Sequence, residues 1–309
     1  MLVPIITLIT MLLLNPARSA AKMQQYPRLA PAGQHDRVLI VAPHIDDEAI
    51  GAGGYAIDAI ASGAEVFVVF LTAGDCNRFT ARLMHRTFEP STSHYLAVGR
   101  TRISEARDAM HILGLAPDHY FVLGYPDRGL RAMVTNRSAI VRSQGTGETS
   151  VPYADALTPG APYSYASLMS DVRKIIDFTQ PTMVIAPVPF DLHPDHNAAA
   201  QITDEALDGL AIHPSRLGYL VHTTRIPTGL MSTPERALLP PSRMQAFSWT
   251  TYGLSERVQQ QKMQVLMTYK SQRPYVFLLR NRFVRRNELF FQYPQTGASP
   301  LAAAPRIAP

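Results

Sequence analysis

Short apolar runs alternate with longer segments that carry an apolar residue every three or four positions. This pattern extends from about residue 37 to residue 270. The continuous apolar runs predict buried parallel strands at 37–42, 65–71, 119–123 and 182–186, with weaker strands near 218–223 and 244–249. The periodic segments predict helices near 46–63, 101–113, 166–179, 195–211 and 254–270. Strands and helices alternating at this spacing predict an α/β fold, with a Rossmann-like, mostly parallel sheet flanked by helices.

Three segments interrupt this pattern. Residues 73–97 are polar and are predicted to form a loop, and residues 124–165 are rich in Gly, Pro, Ser and Tyr without a clear period. A loop as long as 124–165 is uncommon in a compact domain, and we interpret it as a functional insertion. The end of the chain, 293–309, is predicted to be a disordered tail. The sequence therefore predicts one domain over residues 22–292.

The N-terminus is predicted to be a targeting segment. Residues 1–14 are apolar and carry no charged side chain, and Pro16 and the small residues of ARSAA follow them. This order is typical of a secretory signal peptide over residues 1–21, with cleavage after Ser19 or Ala21. An uncleaved membrane anchor is the alternative. Either interpretation predicts an exported protein of the bacterial periplasm or cell envelope, and the second also predicts membrane association.

Composition and charge exclude several classes of protein. The chain has 29 basic and 24 acidic residues and no dense Lys/Arg block with interleaved aromatic residues, so we expect no nucleic-acid partner. The single cysteine, Cys76, excludes an intrachain disulfide and a zinc cluster built on cysteines. The basic run at 280–286 is interpreted as a solvated face.

Candidate chemistry follows two of the predicted strands. APHIDDE at 42–48 comes directly after the first strand, and DLHPDH at 191–196 comes directly after the strand at 182–186. Ligands of open α/β sheets bind beyond the carboxyl ends of the strands. We therefore expect the histidines and carboxylates of the two segments to converge if the two strands are neighbours.

Two histidines and one carboxylate form a standard ligand set for catalytic zinc, with one position left for water. Because Asp46 and Asp47 are adjacent on a turn, they point in different directions. One can then bind the metal while the other takes a proton from the water. A further histidine could polarise a carbonyl or protonate a leaving amine. No GxGxxG follows the first strand, which argues against a dinucleotide enzyme.

The pair PHIDDE and HPDH resembles the motifs of the PIG-L/LmbE family of metal-dependent de-N-acetylases. Further similarities in the same order are TAGD at 72–75, Arg102 to Glu105, GYPD at 124–127 and YKSQ at 269–272, so the resemblance covers about residues 37–275. The sequence departs from the family pattern at Ile45, where the family usually has proline. The loss of a fixed φ predicts a less rigid turn.

The resemblance implies a role for each matching residue. It implies His44, Asp47 and His196 as ligands of Zn²⁺, although these ligand types also accept other divalent transition metals. It further implies Asp46 as general base and His193 as the residue that stabilises the oxyanion or protonates the leaving amine. Asp195, inside HPDH, would orient a histidine.

Two further residues are weaker candidates for substrate contacts. Asp75 ends the second predicted strand at the same sheet edge. Arg102 could contact substrate, or it could form a solvated helix pair with Glu105. The remaining histidines have no ligand spacing and are interpreted as ordinary polar or core residues: His35, His85, His94, His111, His119, His213 and His222.

The resemblance implies a fold, a reaction and a substrate class. We expect hydrolysis of an N-acetyl group on an N-acetylglucosamine-type sugar, glycan or glycolipid, with water activated by the metal. Two alternatives stay open at this point. One is a metal-dependent amidase that acts on a non-sugar amide. The other is a non-catalytic glycan-binding protein of the same fold.

Overall fold

A computed structural model describes residues 16–223, 234–272 and 282–293. It confirms the predicted α/β class, since a central sheet carries helices along the chain between its strands. The strands are β1 (Arg37–Ala42), β2 (Glu65–Thr72), β3 (Tyr120–Tyr125), β4 (Met183–Pro187), β5 (Ser215–Tyr219), β6 (Trp249–Gly253) and β7 (Asn287–Gln292). The α-helices are α1 (Pro16–Met23), α2 (Asp47–Ala61), α3 (Arg78–His85), α4 (Thr92–Leu113), α5 (Leu130–Thr135), α6 (Tyr165–Thr179), α7 (Pro194–Leu207) and α8 (Glu256–Thr268). Single 3₁₀ turns lie at Pro117–His119, Ser242–Met244 and Lys270–Gln272.

The strand order places both sequence motifs at the same edge of the sheet. The order is β3-β2-β1-β4-β5-β7-β6, and the first five strands are parallel. Strand β1 pairs with β2 on one side and with β4 on the other, in the register Ile40 to Ile185. The chain therefore reverses its direction of winding at β1. Such a switch point opens a crevice at the carboxyl ends of the two strands, between the loops that follow β1 and β4.

Several predictions of local structure were wrong. The strand expected near 244–249 lies instead at Trp249–Gly253. The polar segment 73–97 is not a loop, because it contains α3 and the first turns of α4. Polar capping residues begin both helices: Asn77 Oδ1 accepts from Thr80 N at 3.0 Å, and Ser91 forms a capping box with His94. A strand was also missed in the basic region, because β7 follows directly after Arg286 and lies between β5 and β6. The interpretation of the basic run 280–286 as a solvated face is wrong for Phe283, Val284 and Arg285, which are buried, while residues 280 and 281 lie outside the described residues.

The 124–165 segment packs against the domain. Apart from α5 it has little regular structure, but Tyr153 and Tyr163 are buried within it. A bridge between Ser150 and Pro162 closes its central turn. Its buried tyrosines therefore serve packing.

Both ends of the domain are tied to the sheet. Thr251 of β6 exchanges backbone hydrogen bonds with the segment after α1, accepting from Leu29 and donating to Pro27. At the other end Tyr293 is buried, and the Arg216 guanidinium lies over its ring at 4.9 Å from the centroid. The apolar run 1–14 and residues 294–309 lie outside the described residues. None of the helices in the described ranges is both long and apolar enough to cross a membrane.

Candidate metal centre and active-site cleft

The loop after β1 turns sharply to begin α2. Asp46 is the N-cap of α2 and has a φ of 116°, a left-handed conformation that is rare for any residue but glycine. Thr72, the last residue of β2, holds the loop because its backbone N and its Oγ1 both donate to Pro43 O, at 3.0 and 2.9 Å. The strained turn places Asp46 and Asp47 on different sides of the first turn of the helix.

Arg102 is a positioning residue in this structure. Its side chain is buried, and its guanidinium donates to Gly74 O at 3.0 Å and to Ile45 O, while Nη2 lies 3.4 Å from Asp46 Oδ2. The guanidinium that was predicted to contact substrate is therefore bonded to the loops after β1 and β2, although Arg102 also lines the cleft described below. The alternative of a solvated pair with Glu105 is wrong, since Glu105 is buried and accepts from Ser271 N and Oγ.

The second motif is built around a histidine cap. His193 is the N-cap of α7, and its Nδ1 accepts from the backbone N of Asp195 at 3.2 Å. Pro194 occupies the first helical position, as its missing N–H and fixed φ favour. His196 follows in the first turn and is fully buried. The segment is tied to the loop after β5, because the Asp191 carboxylate accepts from the backbone N of His193, Val221 and His222.

The two motifs meet at one carboxylate oxygen. Asp47 Oδ2 lies 3.1 Å from His44 Nδ1 and 3.1 Å from His196 Nε2. The opposite nitrogen of each ring faces other carboxylates: His44 Nε2 lies 3.4 Å from both Asp127 Oδ1 and Asp195 Oδ2, and His196 Nδ1 lies 3.3 Å from Asp191 Oδ2. A histidine that binds metal through one nitrogen typically gives its other nitrogen to a carboxylate or carbonyl. The structure thus brings His44, Asp47 and His196 together as the sequence predicted, and it places Asp195 behind His44.

The donor set fits a small cation. Both ring nitrogens of His196 are buried and neither makes a hydrogen bond of good geometry. Donors that bind one ion at about 2.0–2.2 Å lie roughly 3.3–3.6 Å apart in a tetrahedron, close to the 3.1 Å seen around Asp47 Oδ2. In the described ranges, donor atoms within 4.8 Å of one another form the groups His44–His193–His196, Asp191–His196–His222 and His44–Asp127–Asp195. The first of these groups contains His44 and His196, and Asp47 joins that pair through its two 3.1 Å contacts without being a member of any of the three groups.

Burial and neighbouring charges shift the pKa values of the two adjacent aspartates in opposite directions. Burial raises the pKa of Asp46 to about 7, although the Arg102 guanidinium opposes this rise. Burial alone would also raise the pKa of Asp47, but His196 and His44 hold it well below its usual range. Asp47 is therefore anionic near neutral pH, while Asp46 is able to gain and lose a proton there.

The pKa values of His196 and His193 are also shifted in opposite directions. Burial would lower the pKa of His196, but Asp47 and Asp191 raise it to about 9. The pKa of His193 is lowered to about 4 by its burial and by the neighbouring rings of His44 and His196. Because His193 Nδ1 accepts a backbone hydrogen bond, the neutral ring carries its proton on Nε2.

A cleft of about 210 Å³ opens over these groups. Its walls include Asp46, Asp47, His44 and His193, together with residues from four further loops: Cys76, Asn77, Asp127, Arg128, Val221, His222 and Gln272. None of these seven residues was predicted as a site residue, and Asp127 and His222 are two whose side chains contact the motifs. Asp127 ends the GYPD segment directly after β3, and His222 Nδ1 lies 3.0 Å from Asp191 Oδ1. His222 was interpreted as an ordinary histidine, and that interpretation was wrong.

Asp75 lies behind the cleft wall. Its side chain is fully buried, accepts from the Tyr153 hydroxyl and does not line the cleft, so the structure does not bring it to the predicted substrate position. The neighbouring Cys76 does line the cleft, but burial raises the pKa of its thiol to about 12. Its thiol is therefore protonated and unreactive at neutral pH.

The sequence matches a known family over more than half of its length. The GlcNAc-PI de-N-acetylase family, PIG-L, matches residues 39–207, a span that contains both motifs and the Asp127 loop. The chain belongs to the PIG-L family. Membership confirms the predicted resemblance and the predicted enzyme class, a deacetylase hydrolase. No curated protein sequence matches this PIG-L chain.

Solved structures share the fold at low sequence identity. The N,N'-diacetylchitobiose deacetylase from Pyrococcus horikoshii is 19% identical, with a TM-score of 0.53 over 84% of this chain and 85% of its own. The A40926 pseudoaglycone deacetylase is also 19% identical, with a TM-score of 0.54 over 83% and 96%. A 4-carboxy-2-hydroxymuconate hydratase from Pseudomonas putida is 16% identical, with a TM-score of 0.51 over 84% and 98%. Because a hydratase shares this fold with the deacetylases, the fold alone does not decide the reaction.

Proposed function

We propose that this PIG-L protein is a zinc-dependent hydrolase that removes the acetyl group from an N-acetylglucosamine-type sugar or glycoconjugate. The observation that carries the proposal is the single Asp47 oxygen that lies 3.1 Å from both His44 Nδ1 and His196 Nε2. Asp46 and His193 face the same cleft from the two motifs. The sugar substrate is supported by the family description and by the diacetylchitobiose deacetylase among the structural neighbours.

His44, Asp47 and His196 would hold the ion. When bound there, Zn²⁺ would lower the pKa of a water molecule and polarise the acetamide carbonyl. Asp127, Asp191 and Asp195 fix the two imidazole rings from behind, so that their inward nitrogens need not reorient to bind. One carboxylate and two neutral imidazoles leave a net positive charge on the ion, and that charge favours the anionic transition state.

Asp46 is placed to act as the general base. It precedes Asp47 on the strained turn and lines the cleft, and burial raises its pKa to about 7. A carboxylate with a raised pKa is a stronger base than an ordinary aspartate, so it removes a proton from water more readily. The same group would then hold that proton for the amine that leaves.

His193 is placed to stabilise the oxygen of the tetrahedral intermediate. Its Nδ1 is occupied by the backbone N of Asp195, which leaves Nε2–H as a donor. Because the pKa of the ring is lowered to about 4, His193 is neutral at pH 7 and donates a hydrogen bond rather than a full charge. Of the two roles predicted for His193, this favours oxyanion stabilisation and leaves protonation of the amine to Asp46.

We also infer that the protein is exported to the periplasm or cell envelope. The support is the apolar run 1–14 and the small residues that follow it. Mass spectrometry of the N-terminus of the chain recovered from each cell fraction tests this inference. A chain beginning at residue 20 or 22 indicates cleavage, and an intact chain in the membrane fraction indicates an anchor. An intact chain in the cytosol contradicts export.

The function is tested with the purified full chain and two histidine variants. We expect about one zinc per chain by elemental analysis, and acetate release from N-acetylglucosamine oligomers that stops after chelation and returns with added zinc. His196→Ala should lose both properties, whereas His35→Ala, at an exposed position, should keep both. Metal binding without acetate release from any N-acetylated sugar would contradict the substrate. Equal metal content in the His196→Ala protein would contradict the ligand set.

A further inference from the structure

A cluster of exposed apolar side chains lies on and just after helix α3. Phe79, Leu83, Met84 and Phe88 are 48%, 57%, 37% and 89% exposed, and we call these four residues the apolar rim. Ten large apolar side chains are exposed in the described residues, and four of them fall within these ten positions. Single exposed apolar residues need no explanation, but a contiguous group of them marks a surface that meets another apolar phase.

The local sequence explains why the rim faces outward. Asn77 caps the helix, and Thr80 and Ala81 are the buried residues that hold it against the domain. Phe79 and Leu83 are one turn apart, so they share a face. Beyond the helix end at Arg86, the Arg82 Nε donates to Phe88 O at 2.8 Å and holds the next residues close to α3. The rim is thus part of a structured surface.

The charge around the rim has one sign. Arg78, Arg82 and Arg86 recur every four residues along the same stretch, and there is no acidic residue between Asp75, which is buried, and Glu89. Segments that lie in the interface of an anionic membrane typically combine exposed aromatic and aliphatic side chains with neighbouring basic residues. Charge complementarity therefore selects an anionic lipid surface over a neutral apolar partner.

The rim also lies next to the candidate active site. Asn77, the N-cap of α3, lines the cleft beside Cys76. Thr80 Oγ1 donates to Ser271 O at 3.3 Å, and Ser271 precedes another residue of the cleft wall, Gln272. A surface engaged by the rim would therefore lie beside the cleft.

We propose that the apolar rim and its three arginines dock the protein onto an anionic lipid bilayer, with the cleft held beside the membrane surface. Leu83 and Phe88, the two most exposed members of the rim, enter the acyl boundary, and Arg78, Arg82 and Arg86 contact lipid phosphates. This inference goes beyond the proposed deacetylation and does not need the N-terminal segment to be retained.

Depth-dependent fluorescence quenching tests the docking in the full chain. Phe88→Trp places an indole in the rim, and Ile140→Trp is the matched control, since Ile140 is 54% exposed elsewhere on the surface. The single native tryptophan, Trp249, is buried and gives a constant background. Each protein is mixed with vesicles of phosphatidylcholine alone or with added phosphatidylglycerol, made with and without acyl-chain bromine.

We expect brominated anionic vesicles to quench the indole at position 88 several-fold more strongly than the indole at position 140. Because position 140 reports any general attachment through residues 1–14, only a difference between the two sites supports the rim. Equal quenching at both sites, or no quenching at position 88, overturns the proposal. If the rim binds a protein instead of lipid, the result is also no quenching.

The charge contribution is measured in the same Phe88→Trp background. Arg78→Gln together with Arg86→Gln should reduce quenching by anionic vesicles to the level seen with neutral vesicles, and added salt should have a similar effect. Quenching that is unchanged by both treatments contradicts the anionic surface. Acetate release from a soluble substrate, which needs no docking, should stay unchanged in these variants. The outcome for the rim is therefore independent of the outcome for catalysis.

Discussion

The ammonium of Lys262 lies 2.5 Å from the Glu288 carboxylate, and both side chains bond backbone groups in the middle of helix α2. Glu288 accepts from Gly54 N at 2.7 Å and from Tyr55 N at 2.8 Å, while Lys262 donates to Ile50 O at 3.0 Å. A Cβ at position 54 would lie 2.6 Å from Leu254 Cδ2 and 3.0 Å from Glu288 Oε1, so glycine allows both side chains to approach the helix closely. The pair thereby ties α8 and β7 to the helix whose first residue is Asp47.

Lys262→Met should destabilise the protein by about 3–5 kcal/mol, because it leaves the buried Glu288 carboxylate without its counter-charge. Adding Glu288→Gln to that variant should restore part of the loss, since the amide oxygen keeps an acceptor for the helix. Urea unfolding measures the changes. Lys174→Met is the control: the Lys174 side chain is 59% exposed, and its pair with Asp171 is worth about 0–1 kcal/mol. Equal effects of the two lysine substitutions would contradict a structural role for the buried pair.

Asp191→Asn should weaken metal binding by about 10–100-fold while leaving the three proposed ligands in place. The carboxylate lies 3.3 Å from His196 Nδ1 and holds the ring with its other nitrogen toward Asp47. Titration with zinc against a competing chelator gives the affinity. Asp171→Asn removes an equally buried carboxylate that bonds Tyr125 and Thr158 instead. A comparable loss of affinity in that control would mean that the effect comes from destabilisation alone.

Arg102→Lys should lower kcat by about 10–100-fold with little change in metal content, because an ammonium cannot bond Gly74 O and Ile45 O together and the Asp46 turn loses its support. Steady-state acetate release and elemental analysis on the same samples check this. Arg107→Lys on the exposed side of the same helix should leave both values unchanged. If Arg102→Lys instead raised KM alone, Arg102 would be a substrate contact, as the sequence first suggested.

The buried carboxyl of Asp75 makes the stability of the metal-free protein depend on pH. Burial raises its pKa from 3.8 to about 7, so the folded chain keeps a proton there that the unfolded chain releases. The stabilisation is fully present below pH 4 and is lost as the pH rises to about 7, at up to about 1.4 kcal/mol per pH unit. Asp75→Asn, which is neutral at every pH, should flatten that part of the profile. Chemical unfolding of both proteins at a series of pH values measures the free energy of unfolding. If its slope against pH were the same in the two proteins, Asp75 would be ionised in the folded state and the prediction would be wrong.

The sequence predicted the parts of the site that lie inside short motifs directly after strands. The convergence of the two motifs could be predicted because β1 and β4 are apolar runs with evident ends, and parallel neighbours bring their carboxyl ends together. The choice of His44, Asp47 and His196 among the converging side chains came from the family resemblance. His222 was missed for a related reason. The predicted strand at 218–223 kept it inside the sheet, whereas β5 ends at Tyr219, so His222 lies in a loop at the same edge as the other histidines.

Long-range polar pairing was harder to predict. Strand β7 begins Asn287–Glu288, and both residues are buried because partners from distant elements satisfy them. A buried charged residue breaks the apolar run that identifies a strand, and its partner is not visible from the local sequence. The burial of Arg102 escaped prediction for the same reason, since its acceptors, Ile45 and Gly74, belong to other loops.

The position of β7 has a consequence for the order in which the protein can mature. Strand β6 leaves the ribosome before β7. Among the strands of the described residues, however, β6 pairs only with β7, which itself pairs with β5. The residue that completes the α2 ladder, Glu288, is therefore among the last of the described residues to be synthesised. A nascent chain in which both motifs have been synthesised still lacks β7, the strand whose Glu288 bonds helix α2. Translation must therefore pass β7 before the contacts of Glu288 with the middle of α2 can form.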